Sequence, residues 1–332
     1  MKKIRLAING FGRIGRHTLK AAWGKKNIDI VAVNDLTDTK TLAHLLRYDT
    51  AYPDFPYKVE SDEENLIIAG KRVRAYAEKD PANLPWKELK VDVVVESTGV
   101  FRTREKAATH LAAGAKKVII SAPAKGEDIK GFIPGCNSSA YQGEEIIDMA
   151  SCTTNGTAPV MDVLQREFGV EKALLSTVHA YTADQNLQDG PHKDLRRARA
   201  AAANIVPTST GAALAVAKII PGLSGKFDGL ALRVPVITGS LVDLSVLLKK
   251  NTTVAEINAA LSRAASGRLK GILAVTEEPL VSSDFIGDPH SAIVDLALTK
   301  VVDGNLVKII AWYDNEWGYA NRLVEMATIV AK

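Results

Sequence analysis

Cys152 stands in a polar segment, with Ser151 before it and Thr153 after it, and such flanks are unusual for a cysteine that only fills a core. The reactive form of cysteine is the thiolate, but a free thiol with a pKa near 8.5 is only a few per cent ionised at neutral pH. Lowering that pKa by about two units takes about 2.7 kcal/mol, whereas a helix dipole supplies less than about 1 kcal/mol. We therefore expect a second, cationic partner. His179 is the candidate, because it ends a predicted strand and precedes a long polar loop.

The remaining cysteine, Cys136, is interpreted as an inert buried position, as most cysteines are. Four histidines have no companion chemistry in the sequence and are interpreted as structural: His17, His44, His110 and His290. Two cysteines cannot build a disulfide framework, and they lack the spacing of a metal site. We therefore expect no metal and a reducing, cytoplasmic compartment.

The segment Gly-Phe-Gly-Arg-Ile-Gly at positions 10–15 matches the pattern G-x-G-x-x-G. The pattern alone is weak, but here it follows a predicted strand and opens a predicted helix, which is the arrangement that binds a dinucleotide pyrophosphate. Asp35 follows Gly15 by twenty residues, at the end of the second predicted strand, where an acid binds the adenosine ribose. Leu36 comes next instead of an arginine that would bind a 2′-phosphate, so NAD is favoured over NADP.

The elements that must position these residues alternate between strand and helix in the first half of the chain. Strands are predicted at 4–9, 28–34, 91–97, 117–121 and 145–149, and helices at about 12–23, 103–113 and 152–167. Continuous apolar strands separated by helices are typical of parallel strands buried on both faces. The fold class predicted for this half is α/β, a Rossmann-type doubly wound parallel sheet.

The second half has longer strand-like runs with few helices, and predicts an α+β catalytic domain with a mixed sheet. These runs lie at 174–179, 229–234, 241–248, 293–299 and 306–312. A length of 332 residues favours two domains. We expect an NAD-binding domain at 1–150, joined by a C-terminal helix at about 316–332. The catalytic domain is expected at 151–315 and includes a long polar loop at about 182–204, of a kind that is more often functional than idle.

The bulk composition excludes several classes of partner. With 42 basic and 38 acidic side chains the formal charge is +4, which is too small to demand nucleic acid or an anionic membrane. No run approaches the ~20 apolar residues of a membrane span.

Three motifs resemble the glyceraldehyde-3-phosphate dehydrogenase family, and the similarity runs from end to end. They lie at positions 8–16, 150–155 and 312–319. The resemblance implies that Cys152 attacks the aldehyde to give a hemithioacetal while His179 accepts a proton, and that hydride passes to NAD. Inorganic phosphate then cleaves the thioester to release 1,3-bisphosphoglycerate. The resemblance also implies a homotetramer.

The same resemblance assigns roles to individual residues. The cofactor-binding residues would be Gly10, Gly12, Arg13, Ile14, Asp35, Lys79, Ser97, Gly99, Ser121 and Asn315, with Arg13 and Ile14 at the pyrophosphate, Lys79 on the adenine side and Asn315 at the nicotinamide carboxamide. The phosphate of glyceraldehyde 3-phosphate would be held by Thr182 and Arg233, and inorganic phosphate by Ser151, Thr153, Arg197, Thr210 and Gly211. Hydroxyls, a backbone N–H and guanidinium groups suit phosphate oxygens.

The chain departs from the family pattern at several positions, and two other functions stay open. Gly156 replaces a second cysteine that is common in the family, and Ala183, Gly190, Leu214 and the segment 236–239 are atypical. One alternative is erythrose-4-phosphate dehydrogenase, which uses a longer sugar and water as acyl acceptor. The other is an NAD-binding redox-sensing regulator, which needs a DNA-reading module for which the chain has no spare segment.

Overall fold

A computed structural model of the protein describes residues 3 to 332, which form 17 strands and seven α-helices. The strands are Ile4–Asn9 (β1), Ile28–Asn34 (β2), Val59–Ser61 (β3), Asn65–Ile68 (β4), Lys71–Tyr76 (β5), Val93–Glu96 (β6), Lys117–Ile120 (β7), Lys130–Gly131 (β8), Ile146–Asp148 (β9), Val170–Ala180 (β10), Val206–Ser209 (β11), Phe227–Val234 (β12), Ser240–Leu248 (β13), Leu273–Thr276 (β14), Ala292–Asp295 (β15), Lys300–Val302 (β16) and Leu306–Tyr313 (β17). The helices are Arg13–Ala22 (α1), Thr39–Arg47 (α2), Arg104–Ala112 (α3), Cys152–Glu167 (α4), Ala212–Ile219 (α5), Val254–Ser266 (α6) and Trp317–Val330 (α7).

The chain divides into two compact units. The first comprises residues up to Pro134, then Ala140–Ala150 and Ala320–Lys332. The second comprises Gly135–Ser139 and Ser151–Tyr319.

The first unit is built on a nine-stranded sheet with the order β3-β4-β5-β2-β1-β6-β7-β9-β8. Strand β1 pairs in parallel with β2 on one side and with β6 on the other, so the winding direction reverses between β1 and β6. Helix α1 packs on β1 and β2, and α3 packs on β7 and β9. In doubly wound sheets, ligands bind beyond the carboxyl ends of the strands at this reversal.

The doubly wound arrangement predicted from the first half of the chain is confirmed, with three strands added at one edge. The antiparallel ribbon β3-β4-β5 was not predicted, because its strands are short and carry many charged residues, as in Lys71–Tyr76.

The second unit is built on an eight-stranded mixed sheet with the order β11-β12-β10-β13-β17-β15-β14, and β16 pairs with β17 outside this path. Strand β10 is parallel to β12 and antiparallel to β13. Helix α4 is buried from Thr153 to Leu164 because it packs against β10, β13, β15 and β17 on one side and against α5 and α6 on another. The predicted mixed sheet is confirmed.

Two helices of the second unit, α5 and α6, were missed by the sequence interpretation. Helix α6 carries a complete capping box, in which the Thr253 hydroxyl accepts from Glu256 N and the Glu256 carboxylate accepts from Thr253 N. This pairing of a hydroxyl with an acid three residues later is a recognisable start signal. The predicted strand 293–299 ends at Asp295, and a short 3₁₀ turn follows over Leu296–Leu298.

Candidate active site

Cys152 is the first residue of α4, and Ser151 caps that helix. The backbone of Ser151 is extended, and its side-chain hydroxyl accepts a hydrogen bond from Thr154 N at 3.1 Å. A serine at this position satisfies one of the free N–H groups of the first helical turn. The cap therefore fixes the helix start, so that the thiol of Cys152 lies at the positive end of the helix dipole.

The thiol of Cys152 faces the imidazole of His179, with 3.4 Å between Sγ and Nε2. His179 comes from β10, and its other ring nitrogen, Nδ1, lies 2.6 Å from the carbonyl oxygen of Ala180. When Nδ1 carries the proton of the neutral ring, it donates to this carbonyl and Nε2 presents its lone pair to the sulfur. The arrangement is that of a nucleophile beside its general base.

Arg233 lies on the other side of the imidazole. Its Nη1 atom is 2.8 Å from His179 Nδ1, 3.0 Å from Ala180 O and 3.4 Å from Thr182 Oγ1. In that tautomer the Arg233 guanidinium, which only donates, hydrogen-bonds the Ala180 carbonyl oxygen, which can accept from both groups. The positive charge next to Nδ1 disfavours a second positive charge on the ring.

The ionisation of the pair differs from the sequence-based expectation of a cationic imidazole. Burial, followed by the charge of Arg233, lowers the pKa of His179 to about 3. Burial also raises the pKa of the Cys152 thiol, with the Arg233 charge acting in the opposite direction. The pair therefore rests as a neutral thiol and a neutral imidazole, and the cation that favours the thiolate is Arg233. The neutral ring offers a lone pair to the thiol proton, but its low pKa makes it a weak base until charge develops in the reaction.

Tyr313 contacts the elements that carry Cys152 and His179, and this role was missed by the sequence interpretation. Its buried hydroxyl lies 3.0 Å from Thr153 Oγ1 and 3.0 Å from Thr177 Oγ1, and its ring packs edge-on against His179 with 6.0 Å between centroids. Thr153 follows the nucleophile on α4, and Thr177 precedes the base on β10. One hydroxyl thus ties the start of the helix to the strand that carries the imidazole.

Asn315 is held in one orientation. Its Oδ1 accepts from Gly239 N at 3.1 Å and from Ser240 Oγ at 2.9 Å. Because a backbone N–H can only donate, the amide oxygen is fixed on this side and Nδ2 is left as a donor. Ser240 Oγ also accepts from Ala180 N at 3.1 Å, which joins Asn315 to the strand of His179.

The expected phosphate ligands fall into separate groups. Thr182 and Arg233 contact one another, as described above. Ser151 and Thr153 use their hydroxyls in the cap of α4 and in the contact with Tyr313. Within residues 3 to 332, no hydrogen bond or ion pair joins Arg197 to either hydroxyl.

Arg197 belongs to a polar cluster in the long loop. Its guanidinium forms an ion pair with Asp184 and donates to Thr208 Oγ1 at 2.9 Å and to Ser209 O at 3.3 Å. Two further expected ligands, Thr210 and Gly211, lie between β11 and the start of α5. The Thr210 hydroxyl accepts a hydrogen bond from Ala212 N. A Cβ added to Gly211 would meet no atom within 4 Å. Backbone N–H groups at such a helix start bind anions.

The first unit carries the expected glycine loop, and each of its three glycines has a different structural role. Gly10 has a φ of +89°, and an added Cβ would lie 2.6 Å from Thr98 N. A Cβ on Gly15 would overlap the carbonyl oxygen of Gly10, so that glycine lets α1 approach the strand end. A Cβ on Gly12 would meet no atom within 4 Å, which leaves the helix start open to a ligand. This is the division of roles that dinucleotide loops show.

Asp35 is fixed beside the glycine loop. Its Oδ2 accepts from Phe11 N at 2.8 Å, and its Oδ1 accepts from Thr37 N at 3.1 Å. The following Leu36 is 68% exposed, and no arginine stands in its place. An acid next to this loop suits ribose hydroxyls and repels a 2′-phosphate, so the residues fit NAD.

The other expected cofactor residues of this unit lie in the first turn of α1 and in the segments after the strands. Arg13 forms an ion pair with Asp49 at 2.6 Å, so its side chain is engaged with an acid. Ser97 Oγ donates to Gly10 O at 2.7 Å, and Ser121 N donates to Glu96 O at 2.9 Å. The remaining three are Ile14 in the first turn of α1, exposed Lys79 after β5, and Gly99 with a φ of +75°.

Among residues 3 to 332, no group of three or more His, Cys, Asp and Glu side chains is arranged to hold a metal ion. No helix in this range has both the length and the hydropathy needed to cross a membrane.

A glycine loop followed by an acid at a strand end, in a chain that also carries a thiol–imidazole pair, is typical of an NAD-dependent dehydrogenase. Residues 4–104 match the family model described as "Glyceraldehyde 3-phosphate dehydrogenase, NAD binding domain". Residues 151–315 match the model of the C-terminal domain of the same enzyme.

Proteins named glyceraldehyde-3-phosphate dehydrogenase are similar over nearly the whole chain. The one from Thermotoga maritima is 57% identical over 331 residues, and the one from Mycobacterium avium is 56% identical over 337 residues, with 99% of both chains covered in each case. That of Geobacillus stearothermophilus is 53% identical over 330 residues, with 99% of this chain and 98% of the relative covered. The chain belongs to the glyceraldehyde-3-phosphate dehydrogenase family.

Proposed function

We propose that the protein oxidises D-glyceraldehyde 3-phosphate to 1,3-bisphosphoglycerate with NAD and inorganic phosphate, the step used in glycolysis and gluconeogenesis. The observation that carries the proposal is the 3.4 Å contact between Cys152 Sγ and His179 Nε2 at the start of a capped helix. Both groups are neutral at rest, so the proton can move from sulfur to nitrogen as the sulfur attacks.

The first step is the attack of Cys152 Sγ on the aldehyde carbon. The thiol proton passes to His179 Nε2 and from there to the carbonyl oxygen, which gives a neutral hemithioacetal. The dipole of α4, at whose positive end Cys152 lies, would stabilise the negative charge that develops during the attack. No net proton is gained or lost in this step.

The second and third steps reuse the same two side chains. NAD, when bound, supplies the hydride acceptor. As the carbon loses hydride, His179 Nε2 takes the hydroxyl proton, and a thioester is left on Cys152. An oxygen of inorganic phosphate then attacks the thioester carbon and the C–S bond breaks. The proton held on His179 Nε2 returns to the sulfur, and the proton of hydrogen phosphate is released to solvent.

The phosphate ligands are part of this proposal. Thr182 and Arg233 lie next to the base and would bind the phosphate of the aldehyde. Arg197, Thr210 and Gly211 would bind inorganic phosphate, with Ser151 and Thr153 as further ligands. The ion pair of Arg197 with Asp184 supports this role, because the guanidinium already donates to an anionic group at this position.

NAD would be held by the glycine loop, by Asp35 and by the strand-end residues Ser97, Gly99 and Ser121, with Arg13, Ile14 and Lys79 as additional contacts. Asn315 would donate from Nδ2 to the nicotinamide carboxamide. The domains are proposed as NAD-binding at 1–150 with about 316–332, and catalytic at 151–315. We propose a cytoplasmic location.

A homotetramer is also proposed, and the mixed sheet of the second unit supports it. The face of this sheet opposite α4 carries partly exposed apolar side chains on neighbouring strands, including Leu174 at 63% and Leu230 at 45% exposure. In the long loop, Leu187 and Leu195 are about four-fifths exposed. Apolar surface of this kind marks protein interfaces.

The test is a substrate comparison with the purified protein, read by NADH absorbance. We expect glyceraldehyde 3-phosphate to give the higher kcat/KM than erythrose 4-phosphate, with steady turnover only when phosphate is present. A higher kcat/KM with erythrose 4-phosphate, or turnover independent of phosphate, would favour the dehydrogenase that uses water. NAD binding without turnover of either aldehyde would favour the redox-sensing regulator.

A further inference from the structure

A cluster of buried polar side chains lies at the carboxyl ends of β1, β2 and β6 in the first unit, beneath the dinucleotide loops. We call it the strand-end network; its members are Asn9, Asn34, Trp86, Glu96 and His110. All are at most 4% exposed. Buried polar groups are costly unless each is hydrogen-bonded. The proposed mechanism uses none of them, so their presence needs another reason.

The protons of this network can be assigned, because Trp86 only donates through its indole N–H. Trp86 Nε1 lies 3.1 Å from His110 Nδ1, which must therefore accept. The proton of a neutral ring is then on Nε2, which lies 3.0 Å from Glu96 Oε2 and donates to it. Trp86 thus fixes His110 as a donor to Glu96.

Glu96 accepts from donors on both carboxylate oxygens. Besides His110, Oε2 accepts from Asn9 Nδ2 at 2.5 Å. Oε1 accepts from Thr98 N at 2.8 Å and from the Thr98 hydroxyl. The turn held in this way packs directly on Gly10, since an added Cβ there would lie 2.6 Å from Thr98 N.

The network continues to the adenosine side of the loops. Asn34 Nδ2 donates to Asn9 Oδ1 at 2.7 Å and to Glu78 O at 2.9 Å, and Asn34 Oδ1 accepts from Glu78 N at 2.8 Å. Asn34 immediately precedes Asp35. The residue after Glu78 is Lys79, so the Asn34 side chain ties the strand end next to Asp35 to the backbone next to Lys79.

We propose that Glu96 is a positioning residue for NAD, acting through Asn9 and Thr98 and oriented by His110 and Trp86. Its carboxylate joins Asn9, which precedes the loop at 10–12, to the turn at 97–99, and through Asn9 and Asn34 the network reaches 35 and 78–79. The inference rests on the proposed use of NAD. The location of the strand-end network supports a role in positioning NAD, because the winding of the sheet reverses there and ligands bind at such a reversal.

The decisive variant is Glu96→Gln, which keeps the shape of the side chain. The amide nitrogen would replace one carboxylate oxygen, and on either side it would face donors: His110 and Asn9, or Thr98 N and its hydroxyl. His110 cannot become an acceptor at Nε2 while Trp86 donates to Nδ1. We expect the Kd of NAD, measured by calorimetry without aldehyde, to rise roughly tenfold to hundredfold, with kcat at saturating NAD changed less than threefold.

Ile119→Val is the matched control, because Ile119 is fully buried in β7 of the same sheet and contacts no loop through a polar group. It should lower the melting temperature and leave the Kd of NAD unchanged. Trp86→Phe is the second variant if Glu96→Gln does not fold, and it should raise the Kd by a smaller factor. An unchanged Kd in the folded Glu96→Gln or Trp86→Phe protein overturns the proposal. Because the Kd of NAD is measured without aldehyde, this result does not depend on the proposed reaction, which is tested by the substrate comparison.

Discussion

Arg233 places Nη1 2.8 Å from His179 Nδ1, on the side of the ring opposite the 3.4 Å contact with Cys152 Sγ. The guanidinium and the buried surroundings together keep the imidazole neutral. In the proposed mechanism His179 is therefore a neutral ring that takes up the thiol proton during the attack, and the fixed cation beside the pair is Arg233.

The first prediction concerns the titration of His179. In the wild type its pKa is about 3, with burial as the larger cause and the Arg233 charge as the second. Arg233→Gln should therefore raise the pKa towards its ordinary value of 6.5 without reaching it, since burial persists. Imidazole NMR signals followed over pH would measure this. A lower pKa in the variant would contradict the arrangement.

A second prediction concerns stability in acid. The pKa of His179 is lower in the folded chain than in the unfolded one, so the unfolded state binds the proton first and folding stability falls as the pH drops from about 6.5 to about 3. His179→Gln removes this contribution. We expect urea unfolding between pH 7 and pH 4.5 to show a smaller loss of stability in the variant. An identical loss would mean that the ring is not kept neutral by the fold.

Much of the fold, and the contact between the proposed catalytic pair Cys152 and His179, could be predicted because the sequence signals are local. The glycine loop, the strand before it and the polar segment around Cys152 are each contained in a short stretch. The contacts that shape the site are not local: Tyr313 reaches Thr153 across 160 positions and Thr177 across 136. Glu96 and Asn9 are 87 positions apart.

The charge of His179 was predicted wrongly for a related reason. A sequence shows that an imidazole is present but not how deeply it is buried or which cation stands beside it, and these two terms decide its pKa. The same limit applies to His110, which was interpreted as structural without a visible companion. Its companions Trp86 and Glu96 come from other segments and meet it only in the fold.

The third prediction tests the brace formed by Tyr313. Tyr313→Phe removes the hydroxyl that bonds Thr153 and Thr177, and should lower the free energy of unfolding by roughly 1–3 kcal/mol. It should also reduce kcat by about tenfold, since misalignment of reacting groups is costly. The control is Tyr141→Phe, which removes a hydroxyl bonded to Glu144 O and should leave kcat unchanged. Equal kcat values for both variants would show that the brace is only structural.

The fourth prediction concerns the choice of cofactor. Asp35→Asn keeps the side-chain shape but removes the negative charge next to the glycine loop. We expect kcat/KM with NAD to fall and kcat/KM with NADP to rise, because repulsion of the 2′-phosphate is lost. Steady-state rates with the two cofactors measure the ratio. A ratio unchanged from that of the wild type would remove Asp35 from cofactor selection.

The covalent role of Cys152 is tested most directly by a single turnover without phosphate. On mixing enzyme, NAD and glyceraldehyde 3-phosphate, we expect a burst of about one NADH per chain, with the acyl group found by mass spectrometry on the peptide that contains Cys152. Cys136→Ser should retain the burst, because burial raises the pKa of that thiol to about 12. Cys152→Ser should bind NAD and give neither burst nor acyl group. A burst that persists in Cys152→Ser, or an acyl group on Cys136, would contradict the account.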